Sequence, residues 1–316
     1  MAAIGKGAAP EGLARLARKS LKGVLRDLQR ARGGGKSEIH DVRKGLKLVR
    51  SLLRMVKPAI GKGAFQRGDK ALRQAHHLLA AARQRSAMME ALDKLQSFGK
   101  ERKLKVNLAG VRKALREAAA SEEAPVDIAD LIEQAKTQVS TVVEDVGRWD
   151  LPKRDIDPFV KGIRLSYASA RKGLNRGLAK GDIAELHEAR KSTIHFRHQL
   201  EMVSPLWPSV LKAWAEDLQE LREVLGGLGD LEELEQSLKS PACAGLPDAV
   251  RQTACDLAVS YRAQLLEDAK PLSIRLFSEK PAVLEKRLES LWTAGLTQRR
   301  ARATAKAKPA LEALPA

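Results

Sequence analysis

Two stretches of this chain, 147 positions apart, spell nearly the same helix. The first runs from His40 to Pro58 and the second from His187 to Pro205. Without a gap they share His40/His187, Arg43/Arg190, Lys44/Lys191, Arg50/Arg197, Leu53/Leu200, Met55/Met202, Val56/Val203 and Pro58/Pro205. Four of these eight identities are histidine or basic residues, so the repeat preserves a charged face as well as an apolar one. A duplicated cationic helix points to two halves that present basic stripes to one shared anion.

On a helix at 100° per residue, His40, Arg43, Lys44, Lys47, Arg50 and Arg54 fall within a sector of about 120°. Val42, Leu46, Leu48, Val49, Leu52, Leu53 and Val56 occupy the opposite side. Like charges at i,i+3 and i,i+4 destabilise a helix by roughly 0.2–0.5 kcal/mol per pair. Surface helices relieve this with interspersed acids, and here only Asp41 does so. A polyanion that neutralises the stripe accounts for the pattern better than a merely solvated face, and two matched stripes strengthen that preference.

The charge of the chain is uneven as well as high. Its 57 Lys and Arg against 39 Asp and Glu give a formal net charge of +18. Residues 1–60 carry 15 basic and 4 acidic side chains, residues 121–160 carry 4 and 10, and residues 216–240 carry 2 and 8. Such separation makes a localised positive field suited to an anionic partner. The two cysteines, Cys243 and Cys255, form neither a zinc pattern nor a disulfide framework and fit a reducing compartment. The opening Met-Ala-Ala-Ile-Gly-Lys-Gly lacks the apolar core of a signal peptide, and no stretch approaches a span of about 20 apolar residues. A cytoplasmic protein without a membrane partner is expected.

Nearly the whole chain reads as helix, being rich in Ala, Leu, Arg, Glu and Lys with 3.6-residue periodicity. Helices are predicted near residues 11–31, 37–57, 64–97, 101–119, 126–148, 158–180, 183–204, 208–238, 246–276 and 279–298. Breaks fall at Gly33-Gly34-Gly35, Pro58 to Gly63, Ala124-Pro125, Leu151 to Pro158, Gly181-Asp182, Pro205 to Pro208 and Ser240 to Pro247. Short links between long helices favour antiparallel bundles. A first half is expected over residues 11–150, a second over 151–298, and a disordered basic tail over 299–316. Each motif helix is preceded by another basic one. Arg15, Arg18, Lys19, Lys22 and Arg26 share a face before the first, with Leu13, Leu21, Val24 and Leu28 opposite. Lys161, Arg164, Arg171, Lys172 and Arg176 do the same before the second. Four such helices could line one groove.

These residues resemble the CHAD domain family, named for its histidine and α-helical content. The resemblance rests on His40-x-x-Arg43-Lys44-x-x-Lys47-x-x-Arg50 and on His187-x-x-Arg190-Lys191-x-x-x-x-x-Arg197. Supporting pieces are Tyr167-x-x-x-Arg171-Lys172, Leu225-Gly226-x-Leu228-x-Asp230 and Lys280-Pro281-x-x-x-x-x-Arg287-x-x-x-Leu291-Trp292. It implies an all-α fold of two antiparallel four-helix bundles related by a pseudo-twofold axis around a basic central groove or cavity. It also implies binding of inorganic polyphosphate, often at polyphosphate granules. The chain departs from the pattern at Ile194, which stands where the first copy has Lys47; His195 and His198 are expected to compensate in part. Arg83-Gln84-Arg85-Ser86 stands where such families place an Arg-Asp pair, and residues 100–150 match the pattern poorly.

Polyphosphate offers closely spaced anions and no bases, so its binder needs rows of cations and few stacking platforms. Only 3% of the chain is aromatic. Arginine can fork to two phosphate oxygens, while lysine supplies a mobile point charge. The expected polyphosphate contacts are therefore the five cations of the 15–26 face, His40 to Arg54 of the first stripe, Arg164, Arg171 and Lys172, and His187, Arg190, Lys191, Arg197 and His198. His40 and His187 either contact phosphate or donate a structural hydrogen bond to a neighbouring helix. The alternative function is a general polyanion or non-specific nucleic-acid binder. No cofactor, metal site or catalytic residue is expected. No carboxylates converge on His76-His77 or His195/His198, and His40-Asp41 lacks the further His and Asp of a phosphohydrolase. The acidic run Glu232-Glu233-Leu-Glu235 sits on a predicted helix, unlike the strand-borne Glu-x-Glu-x-Lys of a triphosphatase.

Overall fold

Leucine and alanine at three- and four-residue spacing fold into helices throughout the computed structural model, which describes residues 11–33, 35–79, 81–104, 107–121, 128–152 and 155–295. The helices are α1 (Glu11–Arg30), α2 (Lys36–Leu78), α3 (Ala81–Glu101), α4 (Ala109–Ser121) and α5 (Ile128–Gly147). They continue with α6 (Asp157–Lys180), α7 (Ile183–Val203), α8 (Pro208–Lys239), α9 (Asp248–Leu276) and a last helix, α10, over residues 281–295. Among the described residues there are no strands, and the fold is all-α. The break at Ala124-Pro125, the tail 299–316 and the side chains of Arg83 to Ser86 lie outside the described residues.

The apolar stripes set the packing. On α2, Val42, Leu46, Val49, Leu52, Leu53 and Val56 are buried, and Leu48 packs partly against the same core. Each such side chain contributes about 1.5–3 kcal/mol on full burial. Leu13, Leu21, Val24 and Leu28 bury one side of α1, which packs on α2 and α5. In the second half, α6, α7, α8 and α9 pack each on the next. The long helix α2 also meets α6 and α7, so it joins the two halves. Helix α3 leaves α2 to pack on α8 and α9, and α4 lies against α9 and the 3-10 turn Pro241–Cys243. Tyr167 gathers Phe196 and Phe277 around it at centroid distances of 5.1 Å each. Its hydroxyl donates to the Glu279 carbonyl at 2.9 Å.

Helix ends follow local chemistry in some places and tertiary contacts in others. Gly181 closes α6 at φ 64°, and Asp182 caps α7 by accepting from the Glu185 N–H at 3.0 Å. The expected break from Pro58 to Gly63 is instead a kink within α2: Pro58 removes one N–H, and Gly61 takes φ 81°, ψ 168°. Conversely, the predicted helix over 64–97 is interrupted after Leu78 although no glycine or proline marks the site. Arg43 caps this end: its Nη1 donates to the carbonyls of His76 and Leu79 at 3.2 and 2.9 Å. These terminal carbonyls find a side-chain partner in place of the next helical turn.

Two glycines test this packing in opposite directions. A Cβ on Gly162 would stand 2.0 Å from the Met55 carbonyl oxygen, because α6 and α2 touch there backbone to backbone. Gly162→Ala is expected to destabilise the fold by about 1–3 kcal/mol through this overpacking. A Cβ on Gly23 would meet nothing within 4 Å, so Gly23→Ala should stabilise α1 by about 0.5–1 kcal/mol. Urea denaturation of the two variants measures both signs.

Candidate functional site

The motif helices α2 and α7 cross at Ser51, and the contact is polar at its centre. Ser51 Oγ donates to the Lys47 carbonyl at 2.8 Å. It lies 2.9 Å from His195 Nδ1 and 3.0 Å from His198 Nδ1. Since the single hydroxyl hydrogen is committed, both imidazoles must donate from Nδ1. That leaves His198 Nε2 as an acceptor, and Arg197 Nη2 sits 3.0 Å away to donate to it. Gln199 Nε2 completes the node by donating to the Ser51 carbonyl at 2.9 Å. Ser51 and His198 are equivalent positions in the 147-residue register, so the repeat meets itself at this point.

Cations from three helices surround the node. Burial, followed by the charges of Arg197, Lys47, Arg222 and Lys44, lowers His198 to about 3. Burial and then Arg43, Lys47 and Arg50 lower His76 to about 3. Burial with Arg54, Arg50 and His198 takes His195 well below its ordinary value. The histidines are therefore neutral walls in a cationic environment. His187 is exposed, and partial desolvation with the charges of Lys191 and Arg190 lowers it too.

The expected contact residues separate into two groups. Arg15, Arg18, Lys19, Lys22, Arg26, His40, Lys44, Lys172, His187 and Lys191 are exposed, while Lys47 is half-buried. The five cations of the 15–26 face of α1 form no ion pair with a described residue. Other cations, and Lys191 among the exposed ones, have partners within the chain. Arg43 docks on the end of α2; Arg190 Nε donates to the Arg222 carbonyl on α8 at 3.3 Å, and Arg171 Nε to the Phe277 carbonyl at 2.8 Å. Arg164 Nε lies 3.0 Å from Glu285, Lys191 Nζ 2.6 Å from Glu188, and Arg197 Nη1 2.8 Å from Glu201. Arg50 and Arg54 share Asp69, at 3.0 and 2.8 Å.

His198 requires a correction. It was expected to contact the anion and, with His195, to replace the cation missing at Ile194. Both rings are buried and uncharged inside the helix crossing, because the neutral imidazoles satisfy Ser51 where a charged group would be repelled by its neighbours. Sequence reasoning missed Ser51, Gln199, Asp69, His76 and Arg222. Asp69 carried a signal, being the sole acidic residue between Asp41 and Glu90, a stretch with twelve Lys and Arg. Among the described residues, no three His, Cys, Asp or Glu side chains gather to hold a metal ion. No described helix is long and apolar enough to cross a membrane.

A family model for the CHAD domain matches residues 14–239, more than two thirds of the chain. The match runs through residues 100–150 and ends before the Lys280 to Trp292 segment. No curated protein is similar enough to this chain to count as a match.

The node makes folding stability pH-dependent. A histidine kept neutral in the fold binds its proton more readily in the unfolded chain, so stability is full above about pH 6.5 and falls as pH drops toward the folded value. The slope is about 1.4 kcal/mol per pH unit for each such histidine. Denaturant titrations at pH 7 and pH 5 should show a marked loss at pH 5, and a flat profile would contradict the buried node. At constant pH, Arg43→Ala should cost about 1–3 kcal/mol by stripping the His76 and Leu79 carbonyls of their donor. Lys44→Ala should stay within about 0.5 kcal/mol.

Proposed function

Since this chain belongs to the CHAD domain family, we propose that it is a non-enzymatic binder of inorganic polyphosphate. The observation that carries this reading is the crossing of the two motif helices: Ser51 of the first lies 2.9 Å from His195 Nδ1 and 3.0 Å from His198 Nδ1 of the second, and Gln199 donates to its carbonyl. Two stripes that lay apart in sequence thus share one positive field, which suits a ligand long enough to touch both. The two halves, 11–150 and 151–298, would be related by a pseudo-twofold axis on either side of a central basic groove, with α3 and α4 of the first packed on α8 and α9 of the second. Targeting to polyphosphate granules follows as part of the same proposal.

The chemistry of this surface favours phosphate chains over nucleic acid. Exposed lysines track a flexible row of anions, and arginines can fork to two oxygens. Phe196, at the crossing, is buried and offers no stacking surface for bases, and Arg54 and Lys57 stand against the ring of the partly exposed Phe65.

The halves should contribute unequally. The exposed lysine of the second stripe, Lys191, already faces Glu188, whereas Arg15, Arg18, Lys19, Lys22 and Arg26 pair with no described acid. Calorimetric titration with long-chain polyphosphate is expected to show saturable binding that exceeds binding of duplex DNA at equal phosphate concentration and physiological salt. The double reversal Lys44→Glu, Lys47→Glu should weaken binding by at least tenfold, and Lys191→Glu by less. Equal binding of DNA that fades with salt in parallel would instead support a general polyanion binder.

A further inference from the structure

Asp69 stands alone in the most basic part of the chain, and its placement is unusual. Its carboxylate is buried and accepts from Arg50 Nε at 3.0 Å and Arg54 Nη1 at 2.8 Å, both on Oδ1. Arg73 Nε lies 3.4 Å from Oδ2. Arg50 and Arg54 precede the Gly61 kink of α2, whereas Asp69 and Arg73 follow it. One carboxylate therefore gathers three guanidinium groups across the bend and leaves two positive charges in excess. Arg54 is steadied from a second side by Phe65, whose ring centroid lies 5.5 Å from Cζ; Lys57 Nζ stands 4.8 Å from the same ring.

We propose that Asp69 is a positioning residue for polyphosphate: it pre-arranges Arg50, Arg54 and Arg73 as one fork array, and so strengthens phosphate binding although it subtracts a positive charge. This rests on the polyphosphate reading above. A free arginine side chain loses rotamer freedom when it closes on a ligand, and one already held loses less. A guanidinium carries five N–H donors, and Asp69 engages one nitrogen of each, so donors remain for phosphate oxygens. Residual exposure makes this feasible: the side chains of Arg50, Arg54 and Arg73 are 17%, 26% and 62% exposed, against 10% for Asp69. The Asp69 carboxylate itself stays ionised. Burial alone would raise it, but hydrogen bonds and charges from Arg54 and Arg50 hold it below its ordinary value.

The inference makes a prediction opposite in sign to simple charge counting. Removing an acid from a cationic surface should tighten binding of a polyanion, and the exposed Asp41 on the same helix should behave so: Asp41→Asn binds more tightly. Asp69→Asn is expected to bind about tenfold more weakly, with a shallower dependence of affinity on salt because fewer phosphates are engaged at once. Calorimetry with long-chain polyphosphate at several salt concentrations reads both, with the fold of each variant checked by circular dichroism. Folded Asp69→Asn that binds as tightly as the original chain, or more tightly, would overturn the proposal.

Should Asp69→Asn fail to fold, Arg54→Lys keeps the charge but loses the fork, and unchanged affinity there would overturn the proposal equally. Nitrogen-15 spectra of the guanidinium Nε–H groups add a readout that a purely structural role would leave still: the Arg50 and Arg54 signals should shift as polyphosphate is added. Absence of binding by the original chain is a separate result. It would defeat the polyphosphate reading first, and this inference with it.

Discussion

The rest of the structure depends on the crossing of α2 and α7 at Ser51. There a single hydroxyl serves the Lys47 carbonyl and two imidazoles, while Gln199 takes the Ser51 carbonyl. The crossing brings strongly basic helices close enough for lysines of one half to act on a histidine of the other. Burying more charge in such a place would be costly, since an ion stripped of water needs a counter-ion and a full set of hydrogen bonds. Neutral histidines solve the difficulty. They provide polar contacts in the interior and add nothing to the repulsion around them.

Around that point the cations divide by chemistry. Arginines at positions 43, 171 and 190 turn inward and donate to main-chain carbonyls, where a planar group with several donors ties one helix to the end or side of another. Lysines at 44, 172 and 191 stay in water. The adjacent pairs Arg43-Lys44 and Arg190-Lys191 thus join a structural group to a solvent-facing one. Their recurrence in both copies of the repeat has a reason in packing, since each arginine ties its helix to a neighbouring carbonyl. Such a division also explains why the field is not symmetric: Glu188, Glu201 and Glu285 answer cations of the second half. In the first stripe Asp69 answers Arg50 and Arg54.

Much of the helical framework was legible because it follows from local rules. The 3.6-residue spacing of leucines on α2, the Gly181-Asp182 junction and the proline-marked ends of α7 and α8 each carry their cause within a few residues. The break after Leu78 does not: the donor that satisfies its carbonyls is Arg43, more than thirty positions away. The kink at Gly61 was foreseen as an interruption, but its continuation as one bent helix depends on what α2 packs against beyond the bend.

The sequence by itself determined that this chain is all-α, that it carries a cationic helix twice, and that its CHAD resemblance extends over most of its length. Periodicity, charge and motif spacing are properties of the chain, and they need no partner to be read. Only the tertiary structure decided which cations face water and which bind carbonyls, that His195 and His198 are buried and neutral, and that Asp69 collects three arginines. A helical wheel gives the direction of a side chain but not what lies opposite it. Burial and hydrogen bonding are set by segments far away in sequence, and the charge state of a histidine depends on both.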